Sequence, residues 1–296
     1  MNDYGSIIRN IRNGKGLTLK DVTGNGVSLP QLSRFERGKS SLSLDKLFIV
    51  LENMGVSVEE FEYAARGYRL NPFDQLLKEA MGLFNDENIH GLRKMVNDQK
   101  KKTPGKEVLR HKLTVILIKN KLAEIDEQTK LREEEKKQVV NYLIQVNEWT
   151  HYELILYANT MSTFSTDDLV DLTQDILSRT VYYQEIQRNR QLVTGIVLNS
   201  IIILLDRKEV QQAHRFKKIL HFKQIDEESL FDKNLLLFAM GALEFYEDQE
   251  KDGKKKMEQA IEIFNTLKSY HLSRRYQAGY NQIVKDDEVL LIKNTI

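Results

Sequence analysis

Gln31 and Arg34 stand three residues apart in a stretch where Leu29, Leu32 and Phe35 recur at helical spacing. Those side-chain types have a definite chemistry on DNA. Glutamine can grip both edge groups of adenine in the major groove, and arginine both edge groups of guanine. A helix needs an apolar face to seat it on its domain and a polar face to enter the groove. Leu29, Leu32 and Phe35 supply the first, and Ser28, Gln31, Arg34 and Arg37 supply the second. Lys15, Lys20 and Lys39 fall in flanking turns, with Arg9 and Arg12 just upstream, where contact with phosphate oxygens is geometrically reasonable. Arg12 has a second possible use, an internal pair with Glu36. The whole chain carries only +1, but residues 1–40 hold seven Lys/Arg against three acids, a local excess of +4. A local excess is what a phosphate backbone responds to.

A different chemistry is suggested further along. Asn199 lies inside the apolar run 192–205, and Asn159 closes the segment Tyr152-Glu153-Leu154-Ile155-Leu156-Tyr157. A buried asparagine amide needs partners. An internal backbone carbonyl is one. The backbone of a bound extended peptide is the other, since one amide can both donate to a peptide carbonyl and accept from its N–H. Arg188 and Arg190 could meet a peptide carboxylate. Catalytic and metal chemistry find little support. The histidines (His90, His111, His151, His214, His221, His271) show no ligand spacing, and no nucleophile stands beside a base. The run Glu133-Glu134-Glu135-Lys136-Lys137 reads as a solvated helix face. Asp167, Asp168, Asp171 and Asp175 follow Ser165-Thr166 as a capped helix start with acids favoured by the dipole. Gly14-Lys15-Gly16 is not preceded by a strand, so it does not read as a phosphate loop. Neither a catalytic residue, nor a metal, nor a cofactor is expected.

The elements that must position these groups are helices. With 15 Gly and 3 Pro in 296 residues, long uninterrupted helices are possible and sandwich or barrel folds are disfavoured. Cysteine is absent, which excludes a disulfide scaffold and fits a reducing cytoplasm. The amino terminus lacks an apolar signal region, and the 192–205 run, ten apolar residues of fourteen, is too short to span a bilayer, so no membrane association is expected. Residues 4–13 place Ile7, Ile8 and Ile11 on one face. Thr18 caps a short second helix over 19–23, and Gly24-Asn25-Gly26 makes the turn. Ser28 caps the third helix, which Gly38 stops. Ser43 caps a fourth, with Leu44, Leu47, Phe48 and Leu51 directed inward, and residues 56–66 form a fifth. Gly67 to Pro72 mark a linker between a domain at 1–66 and a second at 73–296.

The second domain reads as helical throughout, with breaks near Gly91, Thr103-Pro104-Gly105, 162–166, Ile225-Asp226 and Gly253. Residues 235–248 and 254–267 form an amphipathic pair. Gly241-Ala242 in one and Ala260 in the other are small enough for close backbone approach, the pattern of a tetratricopeptide-like hairpin. Residues 142–159 and 181–205 are candidates for further helices of this kind. The expected fold is all-α: a small five-helix domain followed by a right-handed superhelical array of tetratricopeptide-like helix pairs.

The residues R-N-I-R-x-x-x-G-L-T, G-V-S-L-P-Q-L-S-R-F-E-R-G-K, S-L-S-L-D-K-L and M-G-V-S, in that order, resemble the Cro/λ-repressor class of helix-turn-helix domains. One departure is Leu19, where many members carry a phosphate-contacting Gln; Lys20 is the candidate substitute. The whole plan, with the segment W-T-H-Y-E-L-I-L-Y-A-N at 149–159, resembles the Rgg family of Gram-positive transcription regulators. That resemblance implies a cytoplasmic homodimer that binds promoter DNA and a short hydrophobic signalling peptide, as in quorum sensing. Two alternatives stay open: a Cro-type regulator whose repeat domain only dimerises or binds a protein partner, and an antitoxin-like inhibitor.

Overall fold

A computed structural model describes residues 3–24, 26–102, 108–183, 185–220, 225–247 and 249–293. Asn25, the Thr103-Pro104-Gly105 break and His221 lie outside these residues. The described chain is helical, apart from loops and one isolated bridge between Gly24 and Val27. It divides into two compact units, 1–82 and 83–296.

The first unit opens with α1 (Tyr4–Gly14), α2 (Leu19–Val22), α3 (Leu29–Glu36), α4 (Leu44–Met54) and α5 (Val58–Ala65). Local chemistry fixes most of these boundaries. Asp3 accepts from the Ser6 N–H at the start of α1. Thr18 with Asp21, and Ser57 with Glu60, form reciprocal capping boxes. Ser28 accepts from the Gln31 N–H. Gly38 and Gly55 adopt left-handed conformations that end α3 and α4. Ser43 occupies the cap position of α4 but makes no side-chain cap bond. Ile8, Val22, Val27, Leu32, Phe35, Val50, Leu51, Met54 and Phe61 form one core. Gly5 lets α1 reach α3, since a Cβ there would lie 2.0 Å from the Phe35 carbonyl oxygen. Three residues expected inside are not. Leu29, Leu44 and Phe48 are exposed, and α4 instead packs through Leu47, Val50, Leu51 and Met54. The buried stripe of α4 is thus rotated by part of a turn from the expected one.

The boundary between the units falls within α6 (Pro72–Asn85). The second unit continues with α7 (Ile89–Lys101), α8 (Val108–Ala123), α9 (Glu133–Gln145), α10 (His151–Ala158), α11 (Thr166–Arg179), α12 (Gln187–Asp206), α13 (Val210–Ile219), α14 (Leu230–Tyr246), α15 (Glu250–Thr266) and α16 (Tyr270–Lys293). Short 3-10 turns at Met161–Thr163 and Val181–Tyr183 flank α11. Helices adjacent in the chain pack together from α7 to α9 and from α11 to α16, and α8, α10, α12 and α14 also touch in succession, making a continuous layer.

The α14–α15 hairpin is the most closely packed pair, and its small residues explain why. A Cβ on Gly241 would lie 2.8 Å from the Gly253 carbonyl oxygen, and one on Gly253 would lie 2.5 Å from the Phe245 backbone nitrogen. Gly253 is therefore a contact point within α15 rather than a break. The expected single helix over 142–159 is two, α9 and α10. Arg179 explains the interruption: its Nη1 donates to the carbonyls of Leu143, Ile144 and Val146, and its own carbonyl accepts from the Trp149 N–H. The carbonyls that α9 leaves unpaired at its end are thereby satisfied from α11. The acidic run at the start of α9 is also not wholly solvated, because Glu135 is buried against Lys119 at 2.6 Å.

Candidate nucleic-acid interface and repeat-domain site

On α3 the buried residues are Leu32, Phe35 and Glu36. The helix therefore shows water a face made by Pro30, Ser33, Arg34 and Arg37, with Leu29 at its amino-terminal tip. Arg34 is exposed and has no side-chain partner among the described residues. Arg37 is exposed and donates from Nε to the Ser33 carbonyl at 3.0 Å. Gln31 is half-buried, and its Oε1 accepts from Lys46 Nζ at 2.8 Å. Ser28 is exposed, but its hydroxyl oxygen is occupied as the cap. Arg9, Lys15, Lys20 and Lys39 are exposed on the loops and helices around α3; Lys15 reaches the Gly55 carbonyl at 3.5 Å.

Arg12 has the other of its two possible uses. It is 8% exposed, and its Nε and Nη2 grip Glu36 Oε1 and Oε2, each at 2.7 Å. Its Nη1 donates to the Leu17 carbonyl at 2.6 Å. Every useful donor of the guanidinium faces inward, and the Glu36 carboxylate holds its pKa above the ordinary value. Arg12 is therefore a structural link between α1 and α3 and is withdrawn from the phosphate-contacting set. Lys46 lies beyond the basic stretch of the sequence, and its position in the first turn of α4, within reach of Gln31 on α3, is a tertiary fact.

In the second unit, Asn159 and Asn199 are both half-buried on the α8–α10–α12–α14 layer, and they differ. Asn159 terminates α10, donates from Nδ2 to the Ile155 carbonyl at 2.8 Å, and accepts at its own carbonyl from Asn120 Nδ2 at 2.8 Å. Asn199 has no side-chain hydrogen-bond partner among the described residues. Arg188 is exposed in the first turn of α12, while Arg190 pairs with Asp226 at 3.2 Å. Three asparagines escaped notice. Asn120 on α8, Asn189 on α12 and Asn234 on α14 are buried with an Oδ1 that finds no partner among the described residues. Asn120 ends an apolar run much as Asn199 interrupts one, so the same argument could have found it. Asn189 sits among Gln and Arg in the sequence and gives no such signal.

A chain of buried hydroxyls joins three helices around these amides. Tyr157 on α10 meets Thr173 on α11 at 2.5 Å, and Thr173 meets Ser200 on α12 at 3.0 Å. The Tyr157 hydroxyl also lies 3.1 Å from the Leu169 carbonyl, and burial pushes its pKa up. Such a satisfied network fixes helix positions more strictly than apolar contact alone. Trp149 is fully buried and donates to the Leu143 carbonyl, so its fluorescence reports α9–α11 packing rather than an open surface.

Comparison with known proteins accounts for both units. A general helix-turn-helix family matches residues 8–61. The family described as "HTH-type transcriptional regulator Rgg, C-terminal domain" matches residues 93–278. Among solved structures, the SHP pheromone receptor Rgg2 of Streptococcus dysgalactiae is 26% identical, with 95% of this chain and 100% of that one covered at a TM-score of 0.81. A proposed transcriptional regulator from Listeria monocytogenes is 20% identical, covering 97% and 99% at a TM-score of 0.78. A PrgX/iCF10 complex, 14% identical over 97% and 98% at 0.71, shares the fold. The all-α architecture, the helix-turn-helix unit and the match over most of the second unit lead to one assignment: this chain belongs to the Rgg family of helix-turn-helix transcriptional regulators.

Proposed function

We propose that the protein is a non-enzymatic, cytoplasmic regulator whose action at a promoter is controlled by a short hydrophobic peptide. The observation that carries this reading is the layer of helices with half-buried amides at Asn159 and Asn199, in a chain that aligns end to end with a pheromone receptor. Asn159 and Asn199 hold the peptide backbone, and Arg188 and Arg190 face its carboxylate, Arg190 by exchanging Asp226 for it. On the DNA side, Arg34 reads a base, Gln31 and Ser28 contact the groove edge, and Arg9, Lys15, Lys20, Arg37 and Lys39 engage phosphates. One such domain covers few base pairs, so the protein acts as a homodimer on two half-sites about one helical turn or a near multiple apart. Residues 1–66 read DNA, 67–72 link, and 73–296 bind peptide and dimerise.

The test is a promoter-shift assay with the full-length protein and synthetic peptides encoded beside its gene. One peptide should change promoter occupancy at a concentration where scrambled peptides do not. If no peptide changes occupancy, the repeat unit is not a peptide sensor. Light scattering that gives a monomer at micromolar concentration, with and without DNA, would remove the dimer.

A further inference from the structure

We propose that Leu29 reads the 5-methyl group of a thymine in the major groove and so helps set the operator sequence. This rests on α3 being the base-reading helix. Leu29 is the first residue of α3, and the amino-terminal residues of such a helix are the ones that meet base edges. It is 45% exposed although its spacing fits a core position, while Leu32 and Phe35 on the same helix are buried. The domain itself leaves Leu29 part-covered only.

The acceptor oxygens beside Leu29 are engaged within the domain, which leaves the Ser28 O–H and the Gln31 Nε2 hydrogens as the donors for the groove edge. The Ser28 hydroxyl oxygen accepts from the Gln31 N–H, and the Gln31 side-chain oxygen accepts from Lys46. Pro30 follows, with neither a side-chain donor nor a backbone N–H. The tip of α3 is therefore an apolar Leu29-Pro30 pair. An apolar side chain pressed on a base donor or acceptor would strip its water and return nothing. The thymine methyl is the one major-groove group that an apolar side chain matches. The division of labour on α3 is then by height: Leu29 at the tip for a thymine, Arg34 five residues further on for a guanine.

The experiment uses the full-length protein and duplexes that it selects from a random library. Each thymine of the selected site is replaced in turn by deoxyuridine, which lacks only the 5-methyl. Wild type should weaken about fourfold at one thymine per half-site, the worth of one buried methyl group. Leu29→Ala should bind the thymine and deoxyuridine duplexes equally. Arg34→Ala should keep the thymine preference and lose a guanine preference elsewhere. Leu29 supports little of the core, so melting curves of Leu29→Ala should match wild type, and the wild-type comparison stands without the variant. If no thymine shows the effect, or if Leu29→Ala keeps it, the proposal is wrong. If neither variant alters the selected sequence, α3 is not the reading helix and the reading beneath the proposal fails too.

Discussion

The helix α3 and the helix α12 treat their polar residues in opposite ways. On α3 the buried apolar residues, Leu32 and Phe35, lie on one side, so Arg34 and Arg37 are left in water with their charged groups available to a partner. On α12, Ile196, Val197, Leu198, Ile201, Leu204 and Leu205 are buried around most of the helix, and polar residues are drawn in with them. Ser200 is fully buried and paired, while among the described residues the Asn189 side-chain oxygen, which is buried, and the half-buried Asn199 side chain find no hydrogen-bond partner. A helix with one buried face advertises its function by what it leaves outside. A helix enclosed by neighbours does so by the polar groups it fails to satisfy.

The sharpest way to break that contrast is at Arg12 and Glu36, the charged pair that the first unit does bury. Glu36→Ala leaves the guanidinium buried without its carboxylate and should cost about 3–5 kcal/mol of stability in urea unfolding. A loss under about 1 kcal/mol, with a flatter salt dependence of DNA binding by Arg12→Ala, would return Arg12 to the phosphate-contacting set. In the second unit the largest effect is steric. Gly241→Ala places a Cβ against the α15 backbone and should cost about 1–3 kcal/mol, read as a lower melting temperature. An unchanged melt would mean the α14–α15 contact is looser than described. The smallest effect separates readers from anchors on the DNA side. Lys39→Ala should weaken all sequences about equally and reduce the salt slope by about 1. Sequence-selective weakening would make Lys39 a reader instead.

How far the sequence discloses these roles follows from the same contrast. The caps at Thr18 and Ser28 are local events, decided by a side chain and an N–H three residues away, and they can be read directly, whereas Ser43 holds a cap position without making the bond. The apolar stripes of α1 and the small residues of α14 and α15 are legible because their periodicity admits one arrangement. Leu29, Leu44 and Phe48 have the right spacing for a core but lie where the core ends, and only the packed domain decides that. Arg12 offered two partners, DNA and Glu36, and distance along the chain could not choose between them. The end of α9 depends on Arg179, more than thirty residues away, so no local signal marks it. Asn159 and Asn199 were legible as polar residues in apolar company, yet their different hydrogen bonding is a tertiary outcome.

That difference supplies the decisive measurement. Asn159 holds the Ile155 carbonyl, so Asn159→Ala confounds folding with binding, whereas Asn199 makes no side-chain hydrogen bond to the described residues and isolates the site. Promoter binding by wild type and Asn199→Ala should be titrated with the peptide that changes promoter occupancy, beside melting curves of both proteins without it. The account predicts equal melting temperatures, equal promoter affinity without peptide, and about ten- to a hundredfold more peptide for the Asn199→Ala response, since the peptide backbone loses its paired amide. An unchanged peptide requirement in a folded Asn199→Ala protein would contradict it.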